Sequence, residues 1–163
     1  MDRRLKGRRS DYSTRRILMR NMRNTSSPHW RRWLGPANRC LVPLTSFSEP
    51  DPPASGMKGN AWFSLDETDP LAFFAGIWVP LWKSVRKVKE GETVSDLYAF
   101  LTTEPNAEVE PIHPKAMPAI LTTPEKWNTW LGAEWPEAKR LQRPLANGLL
   151  KVVKRGVQRE QPA

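Results

Sequence analysis

Two side chains in this sequence combine proton-transfer chemistry with a restrained backbone, because each directly precedes a proline. Glu49 follows the apolar run 40–44, and Pro50 favours an extended conformation for the residue before it. His113 stands between a β-branched residue and a proline. A carboxylate and an imidazole held in place can exchange protons with a substrate. We therefore take Glu49 and His113 as candidate acid–base residues; a solvated or capping glutamate and a hydrogen-bonded structural histidine are the alternatives.

The segment 39–50 is predicted to be the element that positions Glu49. It begins as an unbroken apolar run bounded by a charge, the pattern of a strand buried on both faces, and ends in small polar residues. Glu49 then stands where a core strand gives way to a loop. His113 is predicted to lie in a turn before the stretch 117–121.

Composition excludes several kinds of site. The chain has 163 residues, 39% of them hydrophobic and eight of them tryptophan, which predicts one folded domain. Two separated histidines and one cysteine cannot supply a zinc site of the usual spacing, and no phosphate-binding glycine loop, dinucleotide fingerprint or serine elbow is present. We expect no metal and no cofactor. Cys40 lies inside an apolar run, which indicates a core residue and not a nucleophile.

No segment of the sequence predicts membrane insertion or secretion. The longest apolar run, 71–79, is far shorter than the roughly 20 residues that a membrane-spanning helix needs. The N-terminal region has arginines but lacks the apolar part of a secretory signal. We therefore expect no membrane partner and a cytoplasmic location.

The positive charge is concentrated near the N-terminus. Residues 1–40 contain 12 of the 26 Lys and Arg residues but only two acidic residues, Asp2 and Asp11, whereas the rest of the chain has a net charge of −1. We predict a partly disordered basic arm over residues 1–20. Such an arm indicates a polyanionic partner, most simply nucleic acid. A solvated tail and an organelle transit peptide are the alternatives.

A short amphipathic helix is predicted just after this arm. Ser27 can cap it, and Trp30, Trp33 and Leu34 fall on one face. The opposite face, with Arg31 and Arg32, can meet a phosphate chain. Core packing is the favoured role of the two tryptophans, and base stacking is the alternative.

The remaining pattern predicts an α+β fold. We expect further strands over 60–65, 71–79, 96–103 and 149–153, helices over 124–132 and 135–141, an irregular stretch over 82–91, and a flexible tail over 154–163. Within the second of these strands, Gly76 indicates a bulge or a close approach of two backbones.

Several short motifs of this sequence occur together in one known family. They are Asn21 and Arg23, Trp30, the run RCLVP at 39–43, Phe47 with Glu49, FAGIW at 74–78, the pair at 112–113, the pair at 117–118 and the pair at 120–121. In order and spacing this set resembles the SOS-response-associated peptidase (SRAP) family, abasic-site processing proteins, from about residue 5 to 153.

The resemblance implies a fold and an activity. It implies a mostly antiparallel β-sheet or open barrel with short peripheral helices, spanning 21–153. Proteins of this family bind single-stranded DNA with abasic sites in a basic cleft, crosslink covalently to it through an N-terminal cysteine, and are thought to remove their own leading peptide. For this chain it implies DNA repair in the SOS response, a monomer, and association with the nucleoid.

Carried over by position, the resemblance implies roles for individual residues. Glu49 and His113 match the catalytic glutamate and histidine, Asn21 matches an asparagine that holds the abasic sugar, and Arg23 matches a DNA-contacting arginine. Lys115 stands where the family has an arginine; lysine can meet a phosphate but cannot make a bidentate contact. With Arg31 and Arg32, Arg23 and Lys115 are the predicted DNA-binding residues.

The start of the chain departs from the family pattern. The family begins Met-Cys-Gly, whereas this sequence begins Met1-Asp2-Arg3, so we expect an N-terminally incomplete domain. Three hypotheses follow: a family member with a truncated gene or a start recorded too far downstream, a non-catalytic fragment that binds single-stranded DNA, and a non-functional remnant. The sequence leaves open whether the chain is an enzyme.

Overall fold

A computed structural model describes residues 22–51, 59–85 and 91–157, which form antiparallel sheets with short helices beside them. The strands are β1 (Arg39–Leu44), β2 (Phe47–Pro50), β3 (Gly59–Ser64), β4 (Ala72–Val85), β5 (Glu92–Phe100), β6 (Thr102–Thr103), β7 (Met117–Pro118), β8 (Ile120–Leu121) and β9 (Lys151–Val157). The α-helices are α1 (Pro28–Arg31), α2 (Pro124–Gly132) and α3 (Trp135–Ala138), and 3-10 turns span Pro36–Asn38 and Lys139–Leu141.

The long strand β4 is the centre of the larger sheet. Its first half pairs antiparallel with β1 and β8, and its second half pairs with β5. A second sheet has the order β2-β3-β9, and β6 pairs with β7. The predicted α+β class, mostly antiparallel with short helices, is confirmed; strands in the described part of the chain do not close into a barrel.

Alternate residues of β4 face two separate cores. Ala75 and Ile77 belong to a core covered by the helices, where Trp130 of α2 is fully buried. Ala72 and Phe74 belong to a core shared with the second sheet. Because side chains alternate along a strand, β4 serves both cores at once.

Gly76 lets β1 and β4 approach closely. A Cβ atom added there would lie 2.8 Å from both Cys40 Sγ and Val42 Cγ2 on β1. Of the two alternatives predicted for Gly76, the close approach is therefore the one observed. The irregularity of β4 lies farther along, between Val79 and Trp82.

A buried arginine joins β1 to the helical layer. Arg39 donates hydrogen bonds to the backbone carbonyls of Leu34 (2.8 Å), Trp130 (3.0 Å) and Ala133 (2.6 Å). Two of these carbonyls lie at the C-terminal end of α2, where a cation is favourable. Arg39 is thus a structural cation rather than part of the basic surface.

Four predicted elements differ from the structure, and one of them is the predicted strand 96–103, which is divided between β5 and β6 in different sheets. The segment 39–50 forms two strands in different sheets, with a break at residues 45–46 where the chain crosses between sheets, and it is not buried on both faces. The stretch predicted to be irregular from residue 82 continues β4 as far as Val85, because β5 pairs with it. The last strand, β9, extends to Val157 because its backbone pairs with β3.

The helices predicted over 124–132 and 135–141 are found in place, whereas α1 ends at Arg31, before Trp33 and Leu34 of the predicted amphipathic face. Thr123 caps α2 by accepting a hydrogen bond from the Lys126 amide, and α3 continues into a 3-10 turn. Ser27 precedes α1, although its side chain makes no capping bond. Within the described ranges, no helix is long and apolar enough to cross a membrane. The proposed arm 1–20 lies outside those ranges.

Candidate active site

Glu49 lies on the core-facing side of β2. Its partner across the sheet is Ala61 of β3, which is fully buried. Phe47, two residues earlier and on the same face, stacks on Phe63 with 5.2 Å between ring centroids. The strand therefore holds the Glu49 carboxylate at the end of an aromatic cluster, where the backbone is fixed by the β-ladder.

His113 lies on a loop that is anchored at both ends. Val109 and Met117, on either side of it, are buried in the same core. The His113 amide donates to the Val109 carbonyl at 2.8 Å. Asn106 holds the start of the loop: its side chain accepts from the Val109 amide and donates to the Leu145 carbonyl. The backbone that carries the imidazole is therefore fixed in place.

The two side chains meet at the boundary of the core. His113 Nδ1 lies 2.7 Å from Glu49 Oε2. The distance is within hydrogen-bonding range, although buried Nδ1 has no well-aligned hydrogen-bond partner among the described residues. The Glu49 side chain is 16% exposed and that of His113 is 34% exposed. A substrate would therefore meet the imidazole first, through Nε2.

Burial changes the acid strength of Glu49. Removal from water raises the pKa of this carboxyl above its ordinary value of 4.5, and the neighbouring His113 offsets part of that rise. A carboxyl with a raised pKa holds a proton more readily than an exposed one. The geometry of the pair and the raised pKa of Glu49 are both suited to acid–base chemistry.

Arg23 and Lys115 also come together near this pair. Arg23 Nη1 donates to the backbone carbonyl of Lys115, two residues after His113. Both side chains are exposed. Two cations that the sequence places far apart thus lie beside the loop that carries the histidine.

Comparison with known families identifies the family of this chain. A family model described as SOS response associated peptidase (SRAP) matches residues 6–158, nearly the whole chain. The chain belongs to the SOS response associated peptidase family. As a member of the SRAP family it is an SOS-response-associated protein. A comparison with curated proteins found no match.

Two adjoining polar grooves extend from Arg23 across this SRAP domain. The first, of about 300 Å³, is lined by Arg23 and Lys139, and the second, of about 430 Å³, by Arg31. Thr25 and Ser26 line both, so the two grooves adjoin. Each groove also has an acidic residue in its lining, Glu104 in the first and Glu134 in the second.

Arg31 and Arg32 are both exposed on the α1 segment, as predicted. The Arg31 Nε donates to the Ser26 carbonyl at 3.3 Å, and the Arg32 guanidinium lies over the Trp33 ring, 4.8 Å from its centroid. Trp33 and Trp30 are half-buried against the helical core, which agrees with the packing role predicted for them.

Other residues of interest fall outside the pair. Asn21, predicted to hold the abasic sugar, lies outside the described residues. Asn106 was not singled out from the sequence, although a Pro-Asn pair in a loop is a turn signal. Arg155 of β9 was also missed; it lies across Ala61 from Glu49 and is 3.5 Å from the Asp51 carboxylate.

Cys40 is half-buried in β1, and burial raises the pKa of its thiol. A raised pKa lowers the thiolate fraction at neutral pH, which agrees with the interpretation of Cys40 as a packing residue. No group of three or more His, Cys, Asp and Glu side chains within the described ranges is placed to hold a metal ion.

The raised pKa of Glu49 predicts a pH-dependent stability. The folded state holds the Glu49 proton more tightly than the unfolded state does. The resulting contribution to the free energy of unfolding is complete below the ordinary pKa of 4.5 and is lost as pH rises through the folded-state pKa. Replacing Glu49 by glutamine removes that loss of stability and nearly preserves the shape of the side chain. We expect its Tm at pH 7 to equal or exceed that of the parent protein, with the difference shrinking at pH 4.

Glu67→Gln is the matched control for this measurement. Lys151 lies 2.9 Å from the exposed Glu67 and lowers the pKa of that carboxyl, so the expected change has the opposite sign. A Glu49→Gln protein that is less stable than the parent at pH 7 and equal to it at pH 4 would show that the buried carboxylate stabilises the fold.

Proposed function

We propose that this SRAP-family chain binds single-stranded DNA at abasic sites and that Glu49 and His113 transfer protons at the abasic sugar. The observation that carries the proposal is the 2.7 Å contact between Glu49 Oε2 and His113 Nδ1 at the edge of a buried cluster. Perturbed carboxyl–imidazole pairs are concentrated at functional sites. Family membership supports a role in the SOS response.

The chemistry of an abasic sugar needs such a pair. The sugar rests as a cyclic hemiacetal, and opening it requires loss of a hydroxyl proton and protonation of the ring oxygen. Attack of an amine on the aldehyde then gives a carbinolamine, which loses water with further proton transfers. A carboxyl and an imidazole are groups that can accept and return these protons, and burial raises the pKa of Glu49, which favours its role as the proton donor.

The cations beside the pair can hold the DNA backbone. Arg23, next to Lys115, would contact the phosphate nearest the abasic sugar, and the adjoining grooves would lead the strand to Arg31. Arg32 adds a charge on the same segment. Lysine at position 115 supplies a point charge where the family has a bidentate group.

A family-type crosslink cannot be formed by Cys40. A thiazolidine needs an amine and a thiol on the same terminal residue, whereas the nitrogen of Cys40 is part of a peptide bond within β1. We propose that an amine of this chain forms an imine with the abasic aldehyde, which reduction can trap. Self-cleavage, the other family activity, has no support beyond the resemblance.

A binding comparison tests this function. Fluorescence anisotropy with labelled oligonucleotides of equal length is expected to give the tightest binding for a single strand with one tetrahydrofuran abasic analogue, weaker binding for the intact single strand, and the weakest for the duplex. Equal affinity for the duplex and the abasic strand at physiological salt would contradict the proposal, because a nonspecific basic surface binds any phosphate chain.

A further inference from the structure

The α1 helix separates two grooves of different chemistry. On one side Arg31 lines the polar groove described above. On the other side an aromatic groove lies between α1 and the β4–β5 pair, with His29, Trp30, Trp33 and Trp82 along it. The proton-transfer pair does not use this second groove.

A bulge in β4 directs Trp82 into the aromatic groove. Val79 pairs with Leu97 and Trp82 pairs with Ser95, so β4 has one residue more than β5 in this interval. The extra residue returns Trp82 to the face on which Val79 lies. Without it, strand alternation would turn the indole to the opposite face.

The bulge is a strained feature that the cores do not require. Leu81 has φ 51°, a left-handed conformation that is unfavourable for a branched side chain, and it is 74% exposed. The Asp96 carboxylate supports it by accepting from the Leu81 amide at 2.9 Å. The bulge brings the Trp82 ring into edge-to-face contact with His29, with 6.0 Å between the ring centroids. His29 also contacts Trp30, with 4.5 Å between the ring centroids.

The charges beside the groove indicate what it binds. Arg31 and Arg32 are exposed on the same helical segment as Trp30. Proteins that bind single-stranded nucleic acid combine cations for phosphates with aromatic rings for bases. The Trp33 indole N–H, buried at this groove, has no hydrogen-bond acceptor within the described ranges. An apolar protein segment would leave that donor and both guanidiniums unmatched.

We propose that the aromatic groove stacks a nucleobase of single-stranded DNA flanking the abasic site, with Trp82 as the principal ring. This inference rests on the proposed function and adds a base-reading contact to it. The groove encloses only about 30 Å³, so the base stacks by its π-face across the mouth of the groove and does not enter it, which favours strands with bases but not one base sequence.

A pair of oligonucleotides with equal charge separates stacking from phosphate binding. One is oligothymidylate with one central tetrahydrofuran analogue and the other is the same number of phosphates joined only by tetrahydrofuran spacers, so both present an abasic position, and both are measured by anisotropy with the full chain. We expect oligothymidylate to bind about fivefold tighter or more, the lower range for one stacked base. Trp82→Leu should remove this preference and leave spacer binding unchanged, whereas Trp82→Phe should retain most of it.

Trp62→Leu is the matched control, because Trp62 is an exposed tryptophan on β3, away from this groove. It should retain the preference. Equal binding of the two oligonucleotides, or a preference that Trp82→Leu leaves intact, would overturn this inference alone. Failure of both oligonucleotides to bind would overturn the proposed function as well. Self-association of the parent protein in sedimentation, abolished by Trp82→Leu, would assign the groove to a second copy and also overturn the inference.

Discussion

Replacement of Glu49 by glutamine is expected to slow reductive trapping of the protein on abasic single-stranded DNA by roughly 10²-fold, the scale of a lost proton-transfer residue. Glutamine nearly preserves the shape of the side chain beside His113, so DNA affinity should be unchanged. The measurement is a time course with borohydride, read on a denaturing gel. Without reductant, no heat-stable adduct should form through Cys40.

Two further variants sharpen this experiment. His113→Ala should also slow trapping, and added imidazole should restore part of the rate, because a diffusible base can replace a lost proton carrier but cannot repair a lost packing contact. Cys40→Ser is the matched control and should trap at the parental rate. Parental rates in both Glu49→Gln and His113→Ala would show that the pair is structural. A heat-stable adduct without reductant that disappears in Cys40→Ser would show that an internal thiol reacts.

Charge reversal along the polar grooves should weaken binding to single-stranded DNA strongly. For about three to five phosphate contacts, the logarithm of affinity should fall with the logarithm of salt concentration at a slope near −0.7 per contact. The double variant Arg23→Glu/Arg31→Glu removes two contacts and adds two repulsions. We expect a flatter slope, by about 1.4, and at least tenfold weaker binding at low salt.

The control double variant, Arg143→Glu/Lys154→Glu, changes net charge by the same amount at exposed positions away from these grooves. It should lose far less affinity and keep the parental slope. Equal losses in the two double variants would mean that binding follows total charge, and the grooves would then have no specific role.

The local part of this site could be predicted from sequence, and its assembly could not. Glu49 and His113 each precede a proline near an apolar stretch, and this pattern was sufficient to select them. Their 2.7 Å contact depends on packing between β2 and the loop anchored by Val109 and Met117, and no local pattern encodes such packing. The family resemblance linked the two residues before the structure did.

The differences between the predicted and observed strands arise from pairing between strands. A continuous apolar run predicts one strand, but the chain changes sheets at residues 45–46, so β1 and β2 serve different sheets. The basic stretch after Trp82 has weak strand propensity, yet β5 supplies backbone partners as far as Val85. Position 81 is a leucine, whereas glycine or asparagine is usual at a left-handed position. The sequence therefore did not indicate the bulge.

The most direct test of the account uses the two histidines of this chain as separate reporters. Imidazole ¹H–¹⁵N spectra would be followed during titration with a single strand that carries one tetrahydrofuran abasic analogue. The account predicts that His113 shifts and saturates at one equivalent, whereas an intact strand of the same length and charge shifts His113 much less. An unmoved His113 at saturating abasic strand, with binding confirmed by anisotropy, would contradict the placement of the abasic sugar at Glu49 and His113.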